Sequence, residues 1–257
     1  MVLYDYCTKT IHDTVKKDVS VIYIPGFQGS GHGLKSQALI NHCRRRGYRY
    51  LCYDPEGIGE SKVDDFSTLK FKHWFENAET AIKHVAEKNF LGPSQSQGRI
   101  FLVGSSMGGW ISLRMANQWP NLISGMILIA PAVNFLRPKY LSWYQSAPAD
   151  VKLAQDQGKS HVMDSTYGVV PVSKAFVDSS IEVEIDMNEP LQIQCPVKII
   201  HGVQDDLVDY LQSIEVMNLI STKDCELIYQ KSGDHRMQNE SGLSLITKHL
   251  DDLILEN

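Results

Sequence analysis

Ile100-Phe101-Leu102-Val103 runs straight into Gly104-Ser105-Ser106-Met107-Gly108, and Gly109-Trp110-Ile111-Ser112-Leu113-Arg114-Met115-Ala116 follows with helical spacing. The order is strand, sharp turn, helix, and few chains can satisfy it. Glycines must flank such a turn, because strand and helix approach too closely there for side chains. The turn raises the Ser106 hydroxyl above the sheet edge. It also leaves the Met107 N–H at the start of a helix, where unpaired donors and the helix dipole favour negative charge. A nucleophilic serine beside an oxyanion site is the chemistry this geometry suits. The pentapeptide alone would match by chance in about one chain in ten of this length. The flanking strand and helix make it specific.

The rest of the chain has to build a sheet around that turn. At 257 residues it can bury a substantial core, and we expect one α/β domain over 1–257. A net charge of −5 gives nucleic acid or an anionic membrane no electrostatic footing. The five cysteines, Cys7, Cys43, Cys52, Cys195 and Cys225, are odd in number and scattered, as in a reducing compartment. Met1 to Cys7 has neither a signal-peptide core nor an Arg/Ser-rich presequence, and no apolar run approaches a bilayer span. The expected location is therefore cytoplasmic as written, or mitochondrial if a presequence is missing. A monomer without an integral membrane segment is expected.

Residues 1–18 read as an entry hairpin. Val19 to Ile24 is a buried strand stopped by Pro25-Gly26. The loop Phe27-Gln28-Gly29-Ser30-Gly31-His32-Gly33 opens a helix running to about Arg46. It lacks the Gly-Lys-Ser/Thr of a phosphate loop and any Gly-x-Gly-x-x-Gly, so its expected task is a second oxyanion N–H, from Phe27. His32 reads as a loop-surface residue. Tyr48 to Tyr53 is the next strand, and Asp54 fixes the turn after it through local hydrogen bonds. Lys72 to Lys88 is helical in period, Met126 to Ala130 a strand, Pro196 to Gly202 another, and Cys225 to Tyr229 the last. A helix from about Gly242 to Leu255 closes the chain. This alternation predicts a mostly parallel sheet with helices on both faces and ligands beyond the carboxyl ends of the strands. Residues at about 131–190 interrupt it with Pro131, Pro138, Pro148, Pro171 and Pro190 among aromatics that include Phe135, Trp143, Tyr167 and Phe176. So long a stretch should be a folded lid, its aromatics mostly forming a small core of their own.

A serine hydroxyl needs a base, and the base an orienting acid. In the fold predicted here they follow in the order serine, acid, histidine, on loops after later strands. Asp205 follows the strand ending near His201, and His235 follows the strand ending near Tyr229. Asp206 is a rival for the acid, and Asp205, Asp206 and Asp209 do not have the spacing of a calcium loop. No cofactor and no metal is expected.

Pro25-Gly26-Phe27, Asp54 through Ser61, Val103 to Trp110, His201-Gly202 with Asp205-Asp206 and Val208, and Asp234-His235-Arg236-Met237 together resemble the abhydrolase-domain serine hydrolases over nearly the whole chain. Within them the chain is most similar to the small group of palmitoyl-protein thioesterases and mycophenolic acid acyl-glucuronide esterases. That resemblance implies an α/β-hydrolase fold with an inserted lid and a triad of Ser106, His235 and Asp205. It also implies an oxyanion hole from the Met107 and Phe27 N–H groups. The substrates it implies are small acyl esters, acyl glucuronides or S-acylated proteins. Arg137, Lys139 and Trp143 in the lid are candidate substrate contacts. Asp209 stands where relatives carry proline, and the lid matches least well. A general carboxylesterase or monoacylglycerol-type lipase is the alternative, and a non-catalytic binding protein on the same fold a more distant one.

Overall fold

The computed structural model describes residues 1–6, 19–90, 98–162 and 171–256. Seven strands form the central sheet: β1 (Val2–Tyr6), β2 (Val19–Ile24), β3 (Arg49–Asp54), β4 (Arg99–Ser105), β5 (Ile123–Ile129), β8 (Val197–Gly202) and β9 (Cys225–Gln230). Their order across the sheet is β1-β3-β2-β4-β5-β8-β9. Every pairing is parallel except that of β1 on β3. The first arm of the expected entry hairpin is thus a strand, but it pairs with β3; residues 7–18 lie outside the described residues.

β2 and β5 are apolar throughout or nearly so because both faces of the sheet are covered. Val21, Tyr23, Phe101, Val103, Ile127 and Ile129 pack on one side with α1 (Leu34–Arg46) and α8 (Glu240–Leu255). Ile22, Ile24, Leu102, Met126 and Leu128 pack on the other with α2 (Lys72–Phe90), α3 (Met107–Gln118) and α7 (Gln212–Leu219). The two sets alternate along each strand, as the two-residue period of a strand requires. α1 ends on Gly47 at φ 73°, a left-handed stop that glycine adopts without strain. α8 is capped by Asn239, whose side chain accepts from the Gly242 N–H at 2.7 Å.

Between β5 and β8 the chain forms α4 (Leu136–Ser146), α5 (Ala149–Asp156), the short pair β6 (His161–Val162) and β7 (Pro171–Val172), and α6 (Lys174–Asp178). The buried Gln155 ties these pieces together. It accepts from the Tyr140 hydroxyl at 3.0 Å and donates to the carbonyls of Lys159 and Val172. Tyr140, Trp143 and Tyr144 pack on one another as expected, but two other aromatics do not stay with them. Phe135 and Phe176 pack edge-on into Phe27, Phe71, Trp74 and Trp110 of the main core. Burying those rings against the sheet's existing aromatics removes more apolar surface from water than a small separate cluster could. Met163 and Tyr167 lie outside the described residues.

Candidate active site

Ser106 follows the last residue of β4 and precedes the first of α3, at φ 55° and ψ −116°. A residue with a Cβ is strained there, by about 1–3 kcal/mol, and persists only if its surroundings hold it. They do: the Ser106 N–H donates to the Ile129 carbonyl at 2.8 Å, and the Ser106 carbonyl accepts from Gly109 and Ala132. The flanking glycines are required by contact. A methyl group on Gly108 would overlap the Ile24 carbonyl oxygen, and one on Gly104 the Gly108 carbonyl and the Ser112 hydroxyl.

The turns after β8 and β9 bring the other two groups to this serine. His235 Nε2 lies 3.0 Å from Ser106 Oγ, and His235 Nδ1 lies 2.7 Å from Asp205 Oδ2. Since an ionised carboxylate only accepts, Nδ1 carries the proton and Nε2 is free to accept from the serine hydroxyl. Asp205 Oδ1 accepts the Leu207 and Val208 N–H groups, each at 2.9 Å. Burial pushes the Asp205 pKa up, but hydrogen bonds from His201, His235 and the Val208 N–H outweigh it and hold the carboxyl well below its ordinary value. Asp206, the rival acid, is exposed to solvent. Asp209 lies in the turn before α7, accepting from the Leu211 N–H at 3.0 Å.

Met107 opens α3, and Phe27 stands in the loop after β2. Among the described residues neither backbone N–H donates to an acceptor. Asp54 performs the turn-fixing task expected of it, accepting from the Gly31 and Glu60 N–H groups and the Tyr4 hydroxyl. His32 is exposed and meets Tyr4 edge-on.

Ser106 and His235 open into a cavity of about 580 Å³. Phe27, Phe135, Leu136, Val172, Leu207 and Val208 give it apolar walls; Lys35, Lys139 and Arg236 give it cations, and among the described residues no carboxylate side chain lines it. Of the three residues expected as substrate contacts, only Lys139 lines this cavity. Arg137 is exposed outside it, and Trp143 stacks instead on His161 and leans on Tyr140. Arg137 precedes Pro138 on an exposed turn of α4, and the Trp143 ring is held by its aromatic neighbours, so neither lines the cavity.

The sequence reading missed three residues. Lys35 looks like any surface lysine on a helix until α1 is docked against the loop that carries His235; its Nζ then donates to the Arg236 carbonyl at 2.6 Å. Arg236 adjoins His235, and that adjacency was the available signal. His201 stands within the His-Gly-x-x-Asp run but reads there as a strand end; its ring contacts Asp205 Oδ2 at 2.9 Å.

A parallel sheet with a strained serine turn at the end of its central strand defines an α/β-hydrolase. The chain belongs to the family described as "Serine aminopeptidase, S33", which matches residues 16–242. It is 28% identical over 241 residues to the mouse mitochondrial palmitoyl-protein thioesterase ABHD10, covering 93% of this chain and 76% of that protein. The solved mouse alpha/beta hydrolase domain-containing protein 10 superposes with a TM-score of 0.75 at 25% identity, over 99% of this chain and 93% of the other. Rat monoglyceride lipase is 26% identical over 183 residues, covering 68% of this chain and 54% of the lipase. The chain is accordingly an enzyme that hydrolyses thioesters or esters.

Proposed function

We propose that the enzyme cleaves acyl thioesters or activated acyl esters, with S-acylated cysteine in proteins and acyl glucuronides as its substrate classes. The observation that carries this is the continuous hydrogen-bonded line from Ser106 Oγ through His235 to Asp205 at the wall of a largely apolar cavity. Ser106 Oγ attacks the acyl carbonyl as its proton passes to His235 Nε2. The carbonyl oxygen becomes an oxyanion, bound by the Met107 and Phe27 N–H groups, each worth about 3 kcal/mol in such a role. Collapse expels the leaving group, an alkoxide taking the His235 proton as it departs and a thiolate taking it once expelled, so that His235 is again a neutral base. Water then attacks the acyl-enzyme with His235 as base, releasing the acid and restoring Ser106.

Likeness to the mitochondrial palmitoyl-protein thioesterases supports the thioester reading. The cations Lys35, Lys139 and Arg236 in the cavity wall support a substrate that is anionic away from the scissile bond. Neutral glycerides are the second reading, favoured by the likeness to monoglyceride lipase and by the apolar wall. We take the chain as one domain with residues at about 131–190 as its lid. The mitochondrial names of the relatives support a mitochondrial location, which imaging the tagged protein tests. No helix among the described residues is long and apolar enough to cross a membrane.

The deciding experiment is hydrolysis of an S-acyl-cysteine peptide series of increasing chain length by the wild type and by Ser106→Ala. Turnover that disappears in the variant is expected, with the preferred length measuring the cavity. A folded wild type that hydrolyses glycerides and none of the thioesters would transfer the assignment to the lipase reading.

A further inference from the structure

One buried titratable group beside the site takes no part in the reaction above. His201 ends β8 next to Gly202 and has no solvent exposure. Its ring is held at both nitrogens. Nε2 lies 2.9 Å from Asp205 Oδ2 and 3.3 Å from the Val208 carbonyl oxygen, while Nδ1 lies 2.7 Å from Ser213 Oγ on α7. Two acceptors around Nε2 put the proton there, and Nδ1 then accepts from the Ser213 hydroxyl. His201 therefore donates from Nε2 to Asp205.

The consequence falls on Asp205. A carboxylate has about four acceptor directions. Oδ1 is filled by the Leu207 and Val208 N–H groups, and Oδ2 by His201 and His235. The carboxylate side chain is sealed from water, so none of these donors has a solvent substitute. We infer that His201 is a positioning residue of the hydrolase: its Nε2–H, locked in place by Ser213, orients Asp205 toward His235 and disperses part of the carboxylate charge. This rests on the reading of Ser106, His235 and Asp205 as the reacting groups.

Losing the His201 donor should have two effects. Asp205 gains freedom to rotate away from His235 Nδ1, which lowers kcat. Its charge, now shared among fewer donors, bears harder on the imidazole beside it, and the acid limb of the rate profile should move to higher pH. Among the described residues, charged groups near His235 include Asp234 and Arg236 in its own loop and Lys35 of α1, which is bonded to the Arg236 carbonyl. These stay in place when His201 is changed. His201 does not line the cavity, so substrate binding should be unaffected.

The test compares pH–rate profiles of the wild type, His201→Met and His201→Gln. Methionine fills space without donating, while the glutamine Nε2–H2 reaches about as far as the imidazole Nε2. His201→Met should lose kcat by about tenfold to a hundredfold, typical for an outer partner of a functional side chain. Its KM should stay within about twofold, and the acid limb should move up by about half a pH unit or more. His201→Gln should recover most of kcat and the wild-type midpoint. A folded His201→Met with an unmoved acid limb would make His201 a packing residue and overturn the inference. Should His201→Met not fold, histidine ¹⁵N spectra of the unaltered protein decide. Nε2–H with a bare Nδ1 is required at neutral pH; the opposite tautomer, or two protons, overturns it. Failure of Ser106 to react with a fluorophosphonate would instead strike the underlying reading, and it would leave that tautomer unchanged.

Discussion

Ser106 Oγ and His235 Nε2 stand 3.0 Å apart although 129 positions separate them in the chain. The serine is held by a turn at the end of β4, the histidine by a turn after β9, and three further parallel pairings bridge the strands between them. The bond exists because the sheet fixes both turns at one edge. Ser106→Ala should abolish fluorophosphonate labelling and lower kcat by about 10⁶-fold, the scale seen when a triad serine is removed elsewhere. His235→Ala separates two duties of the imidazole. A thiolate, with a parent thiol near pKa 8.5, leaves without a donated proton; an alkoxide does not. The variant should therefore lose proportionally more activity on an oxygen ester than on a matched thioester. Equal losses would contradict the assignment of His235 as the leaving-group acid.

Asp205 and Asp206 are adjacent, yet only the former meets His235. Asp205→Asn should reduce kcat by about 10⁴-fold, because an amide neither stabilises the imidazolium nor enforces its tautomer. Asp206→Asn should stay near wild type. Stability gives an independent readout. The hydrogen bonds that hold the Asp205 carboxyl below its ordinary value do so only in the folded state. Its contribution is therefore full above the unfolded pKa, near 4, and is lost as pH falls through the folded value. Denaturant unfolding between pH 3 and 7 should show a steeper acid loss for the wild type than for Asp205→Asn.

Gly108 sits where α3 presses on the end of β2, and an added methyl would overlap the Ile24 carbonyl oxygen. Backbone on both sides leaves no flexible group to yield. Gly108→Ala should cost about 3 kcal/mol, the upper part of the range for overpacked sites, and lower Tm by about 10 °C. A Tm within a degree or two of wild type would mean that the elbow has room the geometry does not allow it.

How much of this could be read from the chain depended on the range of the interaction that fixes each part. Strands buried on both faces appear as short apolar runs, so β2, β4, β5 and β8 were legible, and the elbow declared itself through glycines that sterics demand. Asp205 was legible through its place in a motif. Long-range docking was not. Phe135 and Phe176 join the main aromatic core because of how the segments that carry them dock, and no local pattern encodes that. Lys35 is polar in a helix, and its burial arises from a contact with Arg236 about two hundred positions away. His201 continues an apolar strand and is indistinguishable in sequence from a buried histidine of no consequence.

Lys35 offers the most informative pH dependence. Only 7% of its surface is exposed, and it lines the cavity that holds Ser106. Burial lowers its pKa from 10.5 to about 8, against the attraction of Asp234 and with some help from the nearby Arg236. Below that pH the ammonium is charged and available to an anionic substrate; above it the charge is lost. KM for an acyl glucuronide should therefore rise as pH passes 8, while KM for a neutral ester of similar size should not. The sign on stability is opposite. Between pH 8 and 10.5 the unfolded chain holds more protons than the folded one, so stability rises with pH across that window, and the charged lysine weakens the fold below it. Lys35→Met should accordingly raise Tm at pH 7, raise KM for the anionic substrate by about tenfold (roughly 1.4 kcal/mol of binding), and remove the pH dependence of that KM. A more stable variant with unchanged KM for the glucuronide would separate Lys35 from substrate binding and leave its burial as a structural cost alone.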